Sequence, residues 1–294
     1  MRRVAEMAIT PIEAAIPHCS SGARYRHTKG GSPIARALSM NNDRCMALND
    51  QFEKNSMLQG LPLSERQSIV PSCDTVELHL GDSIEEAGRP IQFLHFPIDS
   101  AISLTNVQDE EHIVEVTVTG REGCSGASVV LVDNRSPCLA MVQIPGTAVR
   151  LATAEVMDRL SNLPYLHAAL ARYNLLIMNL AVISVGCSQF HSPAQRLARW
   201  LKAHWQRTGI ESFPFSNDFL ALQVGVDSAI VKEWLMEFKK QGIVEVGRNI
   251  VIITDQDGLE RKACRCYTLA KESVEEYIGA LGHLSRSYRD SQPS

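Results

Sequence analysis

The sequence lacks the excess of basic charge that is expected of a protein binding nucleic acid non-specifically. Its 29 Lys and Arg residues face 33 Asp and Glu residues, for a formal net charge of −4. From residue 191 to the end there are 14 basic and 13 acidic residues. Because affinity for nucleic acid depends heavily on phosphate neutralisation, this balance predicts modest non-specific binding.

The sequence also lacks the cysteine spacing of a disulfide framework or a metal site. It has 8 cysteines but no CxxC pair, and in a cytoplasmic chain of this size we interpret them mainly as buried free thiols. Only Cys264 and Cys266 lie close together, and a single intervening residue is an awkward spacing for a disulfide or a closed metal site. We expect this pair on the helix that follows the last strand, and we expect no metal and no cofactor.

Long hydrophobic runs are missing as well. The longest apolar stretch, around Leu175 to Gly186, is interrupted by Asn179 and Ser184 and is shorter than the roughly 20 residues of a membrane-spanning helix. The N-terminal residues MRRVAEMAIT have no sustained apolar core followed by a cleavage site. The chain is therefore expected to be cytoplasmic, without a membrane segment.

Catalytic signatures are equally scarce. No nucleophile and base pair, metal-ligand spacing or phosphate-binding glycine loop rises above chance. Ser125 lies in a glycine-flanked turn, but it lacks the strand-to-helix context of a nucleophile elbow. We therefore expect no enzymatic activity.

What the sequence does contain, between Phe213 and Tyr267, is the pattern of a helix, a tight turn, a second helix and a hairpin. Ser216 can cap the first helix, and Gly225 permits a left-handed turn before the second. Val231, Leu235 and Phe238 recur at helical spacing and predict an inward face. The segments IVEV and IVII flank Gly247-Arg248-Asn249 as a hairpin, and the whole order predicts a winged helix-turn-helix.

A winged helix-turn-helix can read double-stranded DNA, because its second helix fits the major groove. That helix is predicted around residues 227–240, with its outward face formed by Ser228, Ala229, Lys232 and Glu233. Ser216 at the start of the first helix and Arg248 in the wing are further candidate contacts. Arg196, Arg199 and Lys202, which precede the first helix, are candidate phosphate contacts.

The remaining chain divides by its periodicity into further segments. Residues 1–48 mix Pro, Gly, Ser and charges without periodicity, which predicts a disordered leader. Residues 49–152 contain evenly spaced short strands and predict an antiparallel β-roll of jelly-roll type. Residues 153–190 predict a long dimerisation helix, residues 191–272 the winged helix-turn-helix domain, and residues 273–294 a C-terminal helix and tail. The predicted fold class is α+β.

The predicted long helix has an apolar stripe that repeats at helical spacing. We interpret the stripe as a surface for the same helix of a second copy, because a helix of this length has more apolar surface than the flanking domains would cover. A core helix within one chain is the alternative. The stripe consists of Met157, Leu160, Leu166, Leu170, Tyr173, Ile177, Leu180 and Ile183.

With these elements in order, the chain resembles the Crp/Fnr family of bacterial transcription regulators over roughly residues 50–270. The resemblance is carried by LHLGDSIEEAGRPIQFLHFP and VTGREGCSGASVVL in the roll, by HSPAQRLARWL after the long helix, and by the segment through ACRCY. It implies a homodimer that binds double-stranded DNA, with RNA polymerase as a further partner.

The family's signature ligand is a cyclic nucleotide, held by a Gly-Glu-Leu-Gly-like turn and an Arg-Ser pair. This chain has Gly123-Cys124-Ser125-Gly126 at the turn, so Glu122 is the candidate substitute for the missing carboxylate. Arg135 and Ser136 match the phosphate-binding pair. The cysteines Cys19 and Cys45 before the roll are too few for the iron–sulfur cluster of some relatives, and the lone histidines do not indicate haem.

The recognition helix departs from the family pattern, since relatives commonly place arginines where this chain has Ser228, Ala229 and Glu233. An arginine bound to guanine contributes about 1 to 3 kcal/mol of discrimination, so we expect a different DNA specificity. The sequence thus predicts a homodimeric transcription regulator without a known effector. The alternative is a signalling or protein-interaction module whose winged helix no longer binds DNA.

Overall fold

Seven antiparallel strands form the N-terminal part of the molecule. The computed structural model describes residues 48–108, 113–131, 134–213, 215–247 and 250–290, with side chains described as far as 282, so the predicted leader lies outside it apart from Leu48. The strands of the roll are β1 Cys73–Leu78, β2 Ser83–Glu85, β3 Phe93–Pro97, β4 Ala101–Val107, β5 Ile113–Thr119, β6 Leu139–Ile144 and β7 Gly146–Ala152.

These strands make two sheets, one in the order β1-β7-β3 and the other in the order β2-β6-β4-β5. Apolar residues from the two sheets pack together: Leu78 and Ala148 from the first, with Ile102, Ala140 and Val142 from the second. The alternation of buried and exposed residues in β1 explains why its sequence reads as a strand. The predicted β-roll is confirmed.

Besides the helical residues 48–52, nine helices accompany the strands in the described parts of the chain. They are α1 Ser56–Gln59, α2 Leu63–Ile69, α3 Thr153–Arg159, α4 Pro164–Phe190, α5 Pro193–Thr208, α6 Asn217–Val224, α7 Ser228–Lys240, α8 Gln256–Lys262 and α9 Cys266–Asp290. The helix predicted from 153 to 190 is thus divided, because a short 3-10 turn, Leu160–Asn162, precedes Pro164 at the start of α4. Proline suits a first helical position since its missing N–H has no partner there.

The long helix α4 packs one face against its own chain. Leu166, Leu170, Tyr173 and Leu180, which belong to the predicted stripe, are buried with residues of the roll. The stripe is therefore largely covered within the chain, as the core-helix alternative held, and the expectation that it faces a second copy is wrong. A different row of apolar residues on α4 is exposed: Leu175, Met178, Val182, Val185 and Phe190.

The roll and α4 approach most closely at Gly123. A Cβ atom at this position would lie 2.1 Å from the ring of Tyr173, so only glycine fits beneath the tyrosine. The Tyr173 hydroxyl hydrogen-bonds with Thr119 Oγ1 at 3.0 Å. The contact fixes α4 against the turn that follows β5.

The last helix, α9, begins at Cys266, earlier than the predicted start of the C-terminal helix at 273. Tyr277 packs against Tyr173 with ring centroids 5.4 Å apart, and Ala270 and Leu281 are buried in the same core. The C-terminal helix therefore covers part of α4 and belongs to the core of the protein.

By length and composition alone, α4 could cross a membrane. It has 27 residues, and an 18-residue window has a mean hydropathy of 1.6 with 28% of its residues buried. The expectation that the apolar stretch is too short is wrong, because the helix extends well beyond the uninterrupted apolar run. In this fold one face of α4 belongs to the protein core.

The winged helix-turn-helix follows α4 in the predicted order. Helices α5, α6 and α7 precede strands β9 Val244–Gly247 and β10 Ile250–Ile253, and β10 also pairs with β8 Ser212–Phe213. A capping box at Ser192 and Gln195 starts α5. The core of the domain continues into the roll at Ala101, Val118 and Ile144, and it includes Leu197, Leu201, Phe213, Phe219, Leu220, Val231, Leu235, Phe238 and Val251.

Polar side chains join this domain to the roll at a contact that we name the roll junction, comprising Glu115, Gln143, Trp200, His204 and Arg207. The Glu115 carboxylate accepts hydrogen bonds from Trp200 Nε1 at 2.9 Å and from Gln143 Nε2 at 2.7 Å. The His204 ring hydrogen-bonds with Gln143 and stacks on Trp200, and Arg207 donates to the Val118 carbonyl oxygen at 2.5 Å. The two domains are thus held by buried hydrogen bonds.

Candidate nucleic-acid interface

The helix-turn-helix geometry arises from local capping. The Ser216 hydroxyl accepts a hydrogen bond from Phe219 N at 3.1 Å, so Ser216 caps α6 as predicted. Gly225 has a φ of 69°, a left-handed conformation that favours glycine, and its N–H donates to the Ala221 carbonyl oxygen at 2.8 Å. Asp227 occupies the cap position of α7 without a side-chain hydrogen bond. This turn sets the direction in which α7 leaves α6.

The outward face of α7 consists of Ala229, Lys232, Glu233 and Met236, which are exposed at intervals of three and four residues. Three of these four were predicted; Met236, with 43% of its surface exposed, was missed although the same helical spacing would have placed it there. Ser228, the first residue of the helix, is half-buried. Val231, Leu235 and Phe238 form the opposite, buried face.

The charge on this face is small and mixed. Lys232 makes no ion pair with any described residue, whereas Lys239 lies 3.0 Å from Glu245 and Lys240 lies 3.8 Å from Glu237. Glu233 is exposed beside Lys232. Lys232 is therefore the unneutralised cation of α7, and the face offers donor, acceptor and apolar groups without an arginine.

Arg196 and Arg199, predicted as phosphate contacts, belong to α5, and their side chains face the C-terminal end of α4. Arg196 Nη1 donates to the Ser188 carbonyl oxygen at 3.2 Å. The Nε atoms of Arg196 and Arg199 are buried without a hydrogen-bond partner among the described residues, and the charge of Arg199 acts on Cys187 and Cys264. Arg248 in the wing lies outside the described residues.

Lys202 is also occupied within the protein. It is buried, and its Nζ donates to the Gln256 carbonyl oxygen at 3.1 Å and lies 3.2 Å from Glu260 Oε2. Its ammonium group thus joins α5 to α8. The expectation of a phosphate contact at Lys202 is wrong in this conformation, because the side chain faces the interior.

The three candidate effector residues lie in different surroundings. Glu122 Oε1 accepts from Gly120 N at 3.1 Å and lies 3.8 Å from Arg207 Nε. Arg135 Nη1 donates to the Gly88 carbonyl oxygen at 2.8 Å. Ser136 Oγ lies 2.7 Å from Glu85 Oε2. Each side chain is thus engaged within the protein: Glu122 with the roll and α5, and Arg135 and Ser136 with the roll.

A cavity of about 230 Å³ lies between the roll and α4, lined by Glu85, Cys124, Ser125, Tyr173, Asn174, Ile177 and neighbouring residues. Its described lining contains no Arg or Lys and none of the three candidate effector residues. Burial raises the pKa of Glu85, although Ser125 and Ser136 hydrogen-bond to the carboxylate. The cavity therefore suits a neutral or hydrogen-bond-donating group better than a phosphate. Nothing in the sequence pattern around Glu85 indicated this role.

Two titratable groups at the roll junction have shifted pKa values. Burial lowers the pKa of His204 to about 3, with Arg207 and Arg199 contributing in the same direction. Burial raises the pKa of Glu115, against hydrogen bonds from Gln143, Trp200 and Ser103. Histidine is thus held neutral at this contact, whereas the carboxyl group is held in a site that favours its protonated form.

The comparisons with known proteins agree with this geometry. Residues 195–262 match the model of the Crp-like helix-turn-helix domain. The structure of FixK2 from Bradyrhizobium japonicum superposes with a TM-score of 0.55 at 12% identity, over 65% of this chain and 98% of that one. A protein assigned to the crp/fnr family of transcriptional regulators from Eubacterium rectale superposes with a TM-score of 0.50 at 14% identity, over 73% of this chain and 97% of that one.

A search with the sequence matches no curated protein. At identities of 12% and 14%, the two solved structures establish the fold, whereas the domain match rests on the sequence itself. Residues 195–262 thus form a Crp-like helix-turn-helix domain, in a chain that has the fold of the Crp/Fnr regulators.

Proposed function

We propose that the chain is a homodimeric transcription regulator that reads a pseudo-palindromic site in double-stranded DNA with α7. The observation that carries this proposal is the exposed face of α7, where Ala229, Lys232, Glu233 and Met236 stand free within a winged helix-turn-helix. A helix of 13 residues presented in this way matches the major groove in width.

Each exposed group has a suitable partner in the groove. Lys232 can donate to guanine O6 and N7 or to a phosphate, Glu233 can accept from cytosine N4, and Ala229 can contact a thymine methyl group. Ser216, Ser228 and, in the wing, Arg248 add phosphate contacts that position the helix. Arg196 and Arg199 would reach a phosphate only by leaving their contacts at the end of α4. The DNA specificity would then depend on few base contacts, none of which is made by an arginine of α7.

The second row of apolar residues on α4 supports a dimer. Leu175, Met178, Val182 and Val185 are separated by three, four and three residues, the spacing of the seam in a coiled coil. Val182 and Val185 each have 66% of their surface exposed in the single chain. Two α4 helices packed along this seam would cover it and would present two α7 helices to grooves about 34 Å apart.

The dimer is tested by placing a charge in the seam. Val182→Glu should shift the protein towards monomer in analytical ultracentrifugation, because two carboxylates would face each other across the helix pair. Val114→Glu, at an exposed valine of the roll, is the matched control and should leave the mass unchanged. A dimer of unchanged stability in Val182→Glu would contradict the proposed seam.

The roll can influence the DNA-reading helices through α6. Phe219, Leu222 and Gln223 of α6 contact a crevice of the roll that includes Ser103 and Met141. Because α6 and α7 form one unit, a conformational change in the roll would move the outward face of α7. We propose that this contact sets DNA affinity in the cytoplasm, and that RNA polymerase is a further partner when the site lies in a promoter.

DNA binding is tested with fragmented genomic DNA from the source organism at two salt concentrations, followed by sequencing of the retained fragments. Enrichment of a palindromic site that weakens as salt rises is expected, because phosphate contacts release counterions. Lys232→Ala should weaken retention, whereas Lys54→Ala, an exposed lysine before the roll, should not. Retention without sequence preference would contradict a specific regulator.

A second function is favoured by two acidic residues of the helix-turn-helix, Asp227 and Glu233. Asp227 and Glu233 are exposed near Met236, a combination that also suits a protein surface. In this alternative the winged helix binds a protein partner and not DNA. The salt series distinguishes the two functions, since binding to DNA falls steeply with salt and a protein interface need not.

A further inference from the structure

Four potential metal ligands from distant segments meet behind the helix-turn-helix. Cys187 and His191 lie at the C-terminal end of α4, and Cys264 and Cys266 lie at the connection between α8 and α9. One ligand atom from each residue, three Sγ atoms and one imidazole nitrogen, lies within 4.8 Å of all the others. We name these four residues the cysteine cluster. Cys187 and Cys264 are 77 residues apart, which is why sequence spacing gave no sign of it.

The distances within the cysteine cluster are close to those of a tetrahedral site. Cys187 Sγ lies 3.5 Å from Cys264 Sγ, and Cys266 Sγ lies 3.5 Å from His191 Nδ1. Bonds of about 2.3 Å to sulfur and about 2.0 to 2.1 Å to nitrogen, at tetrahedral angles, place two sulfurs about 3.8 Å apart and a sulfur and a nitrogen about 3.6 Å apart. Two of the six ligand-to-ligand distances therefore already lie close to those of a tetrahedral zinc site.

The surroundings also fit a closed structural site. Cys187, Cys264 and Cys266 have 0%, 4% and 7% of their surface exposed, and the half-buried His191 closes the outer side. Ile183 packs against the three thiols. Four protein ligands leave no coordination position for water, which is the pattern of structural and not catalytic sites.

We propose that Cys187, His191, Cys264 and Cys266 bind one Zn²⁺ ion. Three thiolates and an imidazole form a Cys₃His set, which selects a soft or borderline ion over Mg²⁺ or Ca²⁺. The thiols bind as thiolates and release their protons to solvent. The bound site carries one net negative charge, which the neighbouring Arg199 guanidinium partly balances.

The ion would connect segments that lie far apart in the sequence. His191 is the residue at which α4 ends, and Cys264 and Cys266 follow the wing and α8. Zinc would therefore fasten the far end of the winged helix-turn-helix domain to the end of the long helix. This site does not depend on DNA binding, and its test uses no DNA.

Metal content of the full-length, tag-free protein is the first measurement, after purification with zinc and a reductant. About one zinc per chain is expected, and Cys264→Ser and Cys266→Ser should bind zinc at least about 100-fold more weakly, since removing a ligand weakens binding more than removing an outer hydrogen-bond partner. Cys138→Ser, which changes a half-buried cysteine of the roll, is the matched control and should keep its zinc.

Cobalt substitution of the wild-type chain gives a result that requires no variant to fold. Co²⁺ at the cysteine cluster should show an intense sulfur-to-cobalt charge-transfer band and tetrahedral ligand-field bands, both displaced by one equivalent of Zn²⁺. A protein with neither zinc nor this spectrum overturns the proposal, as does a Cys264→Ser variant that retains zinc like the wild type. A Cys187–Cys264 disulfide in protein prepared with zinc and reductant also overturns it, in favour of a redox pair.

Discussion

The winged helix-turn-helix domain is held to the rest of the chain at two places with different chemistry. At the roll junction, Trp200, His204 and Arg207 of α5 meet Glu115, Gln143 and Val118 through hydrogen bonds between neutral or titratable groups. At the cysteine cluster, four ligands meet with no hydrogen-bond network of comparable extent among the described residues. The first contact contains titratable groups with shifted pKa values, whereas the second contains the proposed metal ligands.

The largest difference between the two contacts is expected on removal of metal. A chelator should lower the free energy of unfolding by about 4 kcal/mol if zinc was present at about 1,000 times its Kd, because the ion binds the folded chain alone. Urea unfolding followed by circular dichroism measures this change. Cys264→Ser should be insensitive to the chelator, and an equally insensitive wild type would contradict a structural ion.

A smaller effect is expected at the roll junction from Trp200→Phe. The substitution removes the indole N–H that Glu115 accepts at 2.9 Å, and leaving a buried group short of a partner costs about 1 to 3 kcal/mol. Trp205→Phe is the matched control, since no hydrogen bond of its indole is found among the described residues. Denaturant unfolding gives the stability, and metal content should be unchanged in both variants. Loss of metal in Trp200→Phe would show that the two contacts are coupled.

The pH dependence of stability should also distinguish the roll junction from the cysteine cluster. His204 has a pKa of about 3 in the fold and about 6.5 when unfolded, so its contribution is complete above pH 6.5 and is lost as the pH falls towards 3. The slope is up to about 1.4 kcal/mol per pH unit. Glu115, whose pKa is raised, acts in the opposite direction because its protonation favours the folded state.

His204→Gln isolates the histidine contribution. Unfolding measured at several pH values between 6.5 and 4 should show a smaller loss of stability in this variant than in the wild type. The control is His79→Gln, which alters an exposed histidine outside the roll junction. Identical slopes in His204→Gln and the wild type would mean that His204 has the same pKa in the folded and the unfolded chain.

The smallest effect on stability is expected from Lys232→Ala, which touches neither contact. Surface substitutions of this kind change the free energy of unfolding by about 0.5 kcal/mol or less. DNA affinity should nevertheless fall, and the slope of log affinity against log salt should become shallower by about one for each phosphate that is no longer neutralised. Fluorescence anisotropy with the recovered site measures both, and an unchanged slope would remove Lys232 from the phosphate-binding residues.

Local patterns predicted the elements whose sequences carry their own signals. The alternation in β1, the cap at Ser216 and the turn at Gly225 each depend on neighbouring residues, and all were correctly placed. The outward face of α7 followed from helical spacing. Local signals of this kind predicted most of the roll and of the helix-turn-helix.

Features that depend on residues far apart in sequence were not predictable. Apolar residues surround α4 on several sides, so periodicity did not show which row the roll and α9 would cover. The cysteine cluster joins positions 77 residues apart. Arg199 and Lys202 look like surface cations in a helical pattern, yet their positions are decided by tertiary contacts with Cys187 and Glu260.

The contact between Gly123 and Tyr173 has a mechanical consequence. Because there is no room for even a methyl group beneath the tyrosine ring, the roll and α4 form one rigid unit at this level. Between α4 and α5 only His191 and Ser192 lie outside the two helices. A rotation of the helix-turn-helix domain relative to α4 would therefore pivot about these two residues, and it would first have to break the hydrogen bonds of the roll junction.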